Sequence, residues 1–227
     1  MKKTVVISLG GSQIIPDDVN FSYLKEFRKV ILENSRHFRI VIVCGGGSLA
    51  RKYINAVKRG GGNVYHQSLV GIAATRSNAR FLSYFFGFDP EWGIPKNIET
   101  LERYLRKRSL VICGGLEYKP EQTSDSTSAI IARRLDGEFV NLTDVKGLYT
   151  KDPKKYPDAK LIKHITWANF YRMANRLDFR PGQHFVLDQG ASGIIMRNKI
   201  KTVIMKNVKD LDNFLSGKKF TGTVIEG

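Results

Sequence analysis

The segment Asn141–Lys160, which opens on the end of the apolar run Phe139–Leu142, supplies hydroxyls (Thr143 and Tyr149 among them), carboxylates (Asp144 and Asp152 among them) and a turn at Gly147. A strand that ends in small polar residues and a glycine turn is where open α/β sheets bind ligands. Hydroxyls, carboxylates and amides within one loop suit the base and ribose of a nucleotide better than its phosphates. The plainer alternative is a polar hairpin between two strands.

Three glycine turns offer a complementary chemistry. Gly10-Gly11-Ser12 follows the run Thr4–Leu9, Gly45-Gly46-Gly47-Ser48 follows Arg39–Cys44, and Gly114-Gly115 follows Leu110–Cys113. Without a Cβ the backbone can approach a ligand closely, and a helix starting there aims free amides at whatever lies in front. Phosphate is the natural occupant. Together with the Thr143–Asp152 loop, such turns at one end of one sheet make room for two phosphorylated ligands. The chain has no Walker sequence, and no G-x-G-x-x-G follows its first strand, which argues against P-loop and Rossmann readings.

Single residues near these turns divide by chemistry. Arg51, beside three glycines, is read as a phosphate clamp in preference to an idle helix-face residue. Asp188 can organise cations and also cap the helix that follows. Arg76 reads equally as an acceptor contact or as an ordinary arginine of an amphipathic helix. His37, His66, His164 and His184 lack metal-ligand spacing and read as surface or packing residues, and no metal ligand set is expected. Trp92 and Trp167 read as packing residues.

The elements that must position these groups alternate. Thr4–Leu9, Arg39–Cys44, Leu110–Cys113, Phe139–Leu142 and Thr202–Met205 are short, β-branched and apolar, as buried parallel strands are. Helical periodicity marks Phe21 to Ile31, Leu49–Val57, Leu69–Phe86, Ile98–Arg106, Ser126–Leu135, Thr166–Leu177, Ala191–Arg197 and Val208–Leu215, with Asp125 and Thr166 as expected N-caps. The charged Lys151–Lys163 section reads as a hairpin-like excursion. This alternation predicts an α/β fold with a mainly parallel sheet and helices on both faces, and no linker divides residues 1–227.

The chain of 227 residues is long enough for a sizeable core, and its net charge of +16 favours anionic partners. Its basic clusters are short and lack aromatic interleaving, so nucleic acid is supported by charge alone. No apolar run approaches the roughly 20 residues of a membrane-spanning helix. Cys44 and Cys113 each close an apolar strand, which fits small buried side chains and a reducing cytoplasm.

In order and wording these segments resemble the amino acid kinase family along the whole chain, with the archaeal UMP kinase branch nearest. The resemblance implies a three-layer αβα sandwich that uses ATP and Mg²⁺ to phosphorylate a nucleoside monophosphate, most readily UMP. It implies donor contacts at Gly10, Gly11, Ser12, Gly47, Arg51, Thr143, Asp144, Tyr149 and Asp152. Acceptor contacts would come from Gly46, Ser68, Arg76, Leu116, Gln122, Thr123, Ser124 and Asp125, and transfer would involve Gly10, Gly11, Gly46, Arg51 and Asp188. It also implies a homo-oligomer, hexamers being known among UMP kinases.

Several residues depart from the family pattern, and the loss of a ribose-binding carboxylate bears on the acceptor more than on the donor. Ser8 stands where many members have a lysine, Ser68 where an aspartate grips the ribose, and Gly193 where a lysine is frequent. The Leu116–Ser124 loop is longer, and its Glu117 or Glu121 could replace the missing carboxylate. Rival readings are a kinase of the same fold with another phosphate or carboxylate acceptor, and a non-catalytic binder of nucleotides or anions.

Overall fold

The computed structural model describes residues 2–120, 122–176 and 186–227. Glu121, His184 and the expected helix end at Leu177 lie outside them. Among the described residues the five expected strands form at β1 (Thr4–Leu9), β2 (Arg39–Cys44), β3 (Leu110–Cys113), β4 (Glu138–Leu142) and β8 (Thr202–Met205). They join β9 (Thr223–Ile225) and β7 (His164–Ile165) in a seven-stranded sheet of order β3-β2-β1-β4-β8-β9-β7. All pairings are parallel except β8 with β9.

Strand alternation builds two cores. Val5, Ile7, Leu9, Ile40, Ile42 and Cys44 face one side, where α2 (Phe21–Asn34), α4 (Val64–Phe85) and α9 (Val208–Leu215) supply Leu24, Phe27, Ala79, Leu82 and Leu211. Val6, Val41, Val43, Val111, Cys113 and Phe139 face the other. There α5 (Ile98–Lys107), α6 (Ser124–Arg134), α7 (Trp167–Arg176) and α8 (Gln189–Asn198) supply Leu101, Ile131, Phe170 and Ala191. A strand buried on both faces reads as a continuous apolar run, which is why these strands were visible in the sequence.

The chain runs outward from β1 to β2 and β3, then returns to place β4 on the other side of β1. The order reverses between β1 and β4, and open α/β sheets hold ligands at such a reversal. The first glycine turn and the Thr143 loop both leave the sheet there. Gly10 N–H donates to Leu142 O at 3.0 Å and ties them together.

Local chemistry corrects several expected boundaries. Helix α4 begins at Val64, five residues before Leu69, because Asn63 accepts from His66 N–H at 3.0 Å and caps it. Helix α6 is capped by Thr123, whose hydroxyl accepts from Ser126 N–H at 3.1 Å, and not by Asp125, which lies in the first turn. The expectation holds at Thr166, which accepts from Asn169 N–H at 3.3 Å ahead of α7. The excursion after Tyr149 is closed by β5 (Leu148–Tyr149) pairing antiparallel with β6 (Leu161–Ile162).

Candidate active site

The glycine turns after β1 and β2 touch through their backbones. A Cβ on Gly11 would lie 2.0 Å from Gly47 N, and one on Gly45 would lie 2.7 Å from Gly11 N. Gly47 has a φ of +61°, where side chains are disfavoured, and a Cβ there would meet Gly11 O at 2.7 Å. The third turn packs elsewhere: a Cβ on Gly114 would sit 2.6 Å from Arg76 N on α4. Much of the glycine content therefore serves turn-to-turn contact, a role that sequence alone did not separate from ligand approach.

This contact changes which amides face outward. Helix α1 (Gly11–Ile14) is a single turn, and the Gly10 amide is already bonded to Leu142 O. The longer α3 (Gly47–Arg59) begins at the second turn, where Ala50 N–H donates to Gly46 O at 3.1 Å. The amides of Gly47, Ser48 and Leu49 have no partner within the helix and form its positive end. Gly46 is the N-cap residue of that end, and Ser12 lies half-buried in the neighbouring turn. Arg51, in the first turns of α3, is exposed and makes no hydrogen bond or ion pair among the described residues. Oriented amides beside an unengaged guanidinium suit a phosphate.

Helix α4 braces this arrangement through Arg76 and through two residues to which sequence reading assigned no individual role. Buried Asn78 donates from Nδ2 to Gly45 O at 2.8 Å, and Thr75 Oγ1 accepts from Gly115 N–H at 2.7 Å. Both are polar residues on the inner side of an apolar-periodic helix, the one signal that could have marked them. Arg76 donates from Nε to Gly115 O at 2.9 Å and from a terminal nitrogen to Leu116 O at 2.6 Å. Burial pushes its guanidinium down from the usual arginine range. In this structure Arg76 secures the loop between β3 and α6. Leu116 belongs to the core, so any ligand contact at that position falls to its backbone.

The same loop leads into a group of carboxyls and hydroxyls. Ser8 Oγ donates to Asp125 Oδ1 at 2.8 Å. Asp188 caps α8 by accepting from Ala191 N–H at 2.8 Å, and it also accepts from the hydroxyls of Ser126 (3.0 Å) and Thr123. Burial and the neighbouring Asp188 charge push the Asp125 carboxyl up to about 7, against the lowering effect of the Ser8 hydrogen bond. Gln122 donates to Thr127 Oγ1 at 2.8 Å, while its Oε1 is enclosed without a partner. Ser124 opens α6, and its carbonyl accepts from Ser128 Oγ at 2.8 Å. Asn141, first residue of the segment read as a nucleotide loop but assigned no role of its own, donates to Val186 O at 2.8 Å and so holds the approach to Asp188 beside β4.

On the other side of the reversal lies the Thr143–Asp152 loop. Thr143 Oγ1 is 3.4 Å from Asp144 Oδ1, and Lys154 pairs with the other Asp144 oxygen. Partial burial pushes the Asp144 carboxyl up, but the hydrogen bond and charge of Lys154 outweigh it and hold the group below its ordinary value. Asp152 accepts from Lys154 N–H at 2.9 Å and is exposed; Tyr149 is half-buried in β5. The hairpin hangs on the last strand: Thr223 Oγ1 accepts from Leu148 N–H at 2.7 Å and donates to Ile162 O at 2.6 Å. Gly147 permits that approach, since a Cβ there would lie 2.5 Å from Thr223 Oγ1.

Ser68 and Glu117 stand apart from these contacts. The Ser68 hydroxyl donates to Val64 O of its own helix at 2.9 Å, and the residue is half-buried. Glu117 is exposed, whereas Glu121 is not among the described residues.

The chain is similar to known proteins along its whole length. Residues 3–206 match the family model described as the amino acid kinase family. A uridylate kinase of Thermoplasma volcanium is 36% identical, with 100% of this chain and 99% of that protein covered. The solved uridylate kinase of Archaeoglobus fulgidus superposes with a TM-score of 0.84 at 30% identity, covering 99% of this chain and 100% of that one. An isopentenyl phosphate kinase, at a TM-score of 0.69 and 18% identity over 98% of this chain and 100% of its own, shares the fold. The chain belongs to the amino acid kinase family.

Proposed function

We propose that this protein is an ATP-dependent nucleoside monophosphate kinase that converts UMP to UDP, a step of pyrimidine nucleotide synthesis. The observation that carries the reading is its end-to-end similarity to proteins named uridylate kinases, at 36% identity in the example above. The geometry supports it. A helix N-terminus with an unengaged arginine abuts the first glycine turn, and a loop rich in hydroxyls and carboxylates flanks it across the sheet reversal.

Phosphoryl transfer asks for positioning and for neutralisation of charge on the transferred group, with little covalent work from the protein. The amides opening α3, beside Gly46 and Gly47, would hold the transferred phosphoryl group, with Arg51 adding a full positive charge. Gly11 and Ser12 would border the donor phosphates, and Thr143, Asp144, Tyr149 and Asp152 the adenosine. Gln122, Thr123 and Ser124 would border the acceptor. The acceptor phosphate is already anionic at neutral pH, so no side chain need remove a proton. Asp125 is protonated below its value of about 7 and half protonated at it, which limits the repulsion a second carboxylate beside Asp188 would exert on phosphates.

ATP would bring Mg²⁺, which neutralises and bridges phosphate oxygens. Among the described residues no three His, Cys, Asp or Glu side chains gather into a metal cluster. Mg²⁺ in nucleotide sites usually sits among substrate phosphates and water with one or two carboxylates, and Asp188 would be such a carboxylate.

We further propose that residues 1–227 work as one unit in the cytoplasm and assemble into homo-oligomers. No helix among the described residues is long and apolar enough to cross a membrane. No residue of α3 is fully buried, and Tyr53, Val64 and Leu69 are exposed on α3 and α4. Light scattering should give a multiple of the chain mass; the mass of one chain would refute assembly.

Coupled ADP release over a panel of nucleoside monophosphates tests the activity. UMP should give the highest kcat/KM. Arg51→Gln should lower it by on the order of a hundredfold with an unchanged melting temperature, since the residue supports no internal contact. ATP binding without turnover of any acceptor would instead indicate a non-catalytic nucleotide binder.

A further inference from the structure

One face of α4 carries Tyr65, Ser68, Ile72 and Arg76 under the loop between β3 and α6. The loop is fixed at its near end, where Thr75 and Arg76 hold Gly115 and Leu116. Two residues past Leu116 the Tyr118 ring meets Tyr65 edge to face, with centroids 4.8 Å apart and planes at 83°. Tyr65 is 48% exposed and Tyr118 is half-buried, so both rings retain surface open to solvent.

The near end adjoins the phosphate-suited turns. A Cβ on Gly46 would lie 3.5 Å from Thr75 Cγ2, and one on Gly115 would lie 3.3 Å from Thr75 Oγ1. Ten helical residues separate Thr75 from Tyr65, about 15 Å along the axis. A nucleoside monophosphate is shorter than that from phosphorus to the outer edge of its base, so it meets the pair first through Tyr118, which stands two residues past the Leu116 carbonyl that Arg76 holds. Between the two ends the Ser68 hydroxyl is turned back to Val64 O and carries no charge. The paired rings are then the strongest contact available to a planar base at the far end.

We propose that Tyr65 and Tyr118 form an aromatic seat for the base of the phosphate acceptor and thereby set acceptor affinity. This rests on the nucleoside monophosphate kinase reading above. A base stacked on an aromatic ring gains affinity through a face that every base possesses. Acceptor choice at this seat depends on ring stacking more than on a polar code.

The test is steady-state kinetics and calorimetric UMP titration of Tyr65→Ala, Tyr118→Ala and the matching phenylalanine variants. Each alanine variant should raise the UMP KM and Kd roughly tenfold, as loss of one stacked ring does. Meanwhile kcat and the ATP KM should hold within about twofold. The phenylalanine variants keep the ring and should behave as wild type. An unchanged UMP KM and Kd in both alanine variants would overturn the seat while leaving the kinase reading intact. A parallel loss of kcat, ATP KM and melting temperature would reduce the pair to a structural role and overturn it as well. If the unaltered protein neither phosphorylates nor binds any nucleoside monophosphate, the kinase reading falls and the seat with it.

Discussion

Gly11→Ala should abolish most of the activity and destabilise the protein by about 3 kcal/mol, the upper end of ordinary overpacking costs. The added methyl would lie 2.0 Å from Gly47 N, 2.4 Å from Gly47 Cα and 2.8 Å from the Gly46 carbonyl carbon. All three are backbone atoms, so no side-chain rotation relieves the clash. The turns after β1 and β2 must separate, and the N-terminus of α3 moves with them. Misplacement of catalytic groups by about 1 Å can lower a rate by on the order of a hundredfold. The control is Gly61→Ala, where φ is +83° but nothing lies within 4 Å of the new methyl. It should cost about 1 kcal/mol of backbone strain and leave kcat unchanged. Denaturant unfolding and UMP-dependent ADP release measure both. Equal behaviour of the two variants would refute a rigid contact between the turns.

The second large effect concerns pH. Asp125 titrates at about 7 in the folded chain, against an ordinary value of 3.8. Below pH 3.8 it is protonated in folded and unfolded chains alike. As pH rises from there to about 7, the unfolded chain ionises first, so the stability associated with the neutral carboxyl is progressively lost. Above that the difference is constant. Full linkage over such a window amounts to on the order of 4 kcal/mol, reduced by water reaching this half-buried residue. Asp125→Asn cannot ionise and keeps an acceptor for Ser8 Oγ. Its stability relative to the unaltered protein should therefore rise from pH 4 to pH 7.5, as read by urea midpoints at each pH. A difference that stays flat across that range would show that Asp125 is ionised in the fold throughout.

The parallel core was legible because β1 to β4 and β8 are short β-branched runs buried on both faces. The family resemblance and the positions of the glycine turns were legible for the same reason, since each turn closes one of those runs. Other features needed coordinates. β7 and β9 are two and three residues long, below the length at which a period can be read. Thr123 and Asp125 both suit a helix cap, and only geometry shows that Asp125 turns toward Ser8. A glycine shows where backbone can come close but not what approaches: Gly11 meets Gly47, and Gly147 meets Thr223. Arg76 finds its carbonyl partners some 40 residues along the chain, beyond the reach of any local pattern.

Helix α3 has no fully buried residue, and it lies chiefly against α4 and α1. A segment with so little enclosed apolar surface opens at a lower free energy than the sheet, as a small cooperative unit of its own. Its amides would exchange with solvent ahead of those in β1 and β2. A phosphate seated on its first turn binds only the closed form, so occupancy would slow that exchange along the whole helix. A second copy covering its outer face would slow it as well, without any ligand. The hydrogen-exchange lifetime of α3 is thus a single readout that senses both nucleotide occupancy and assembly.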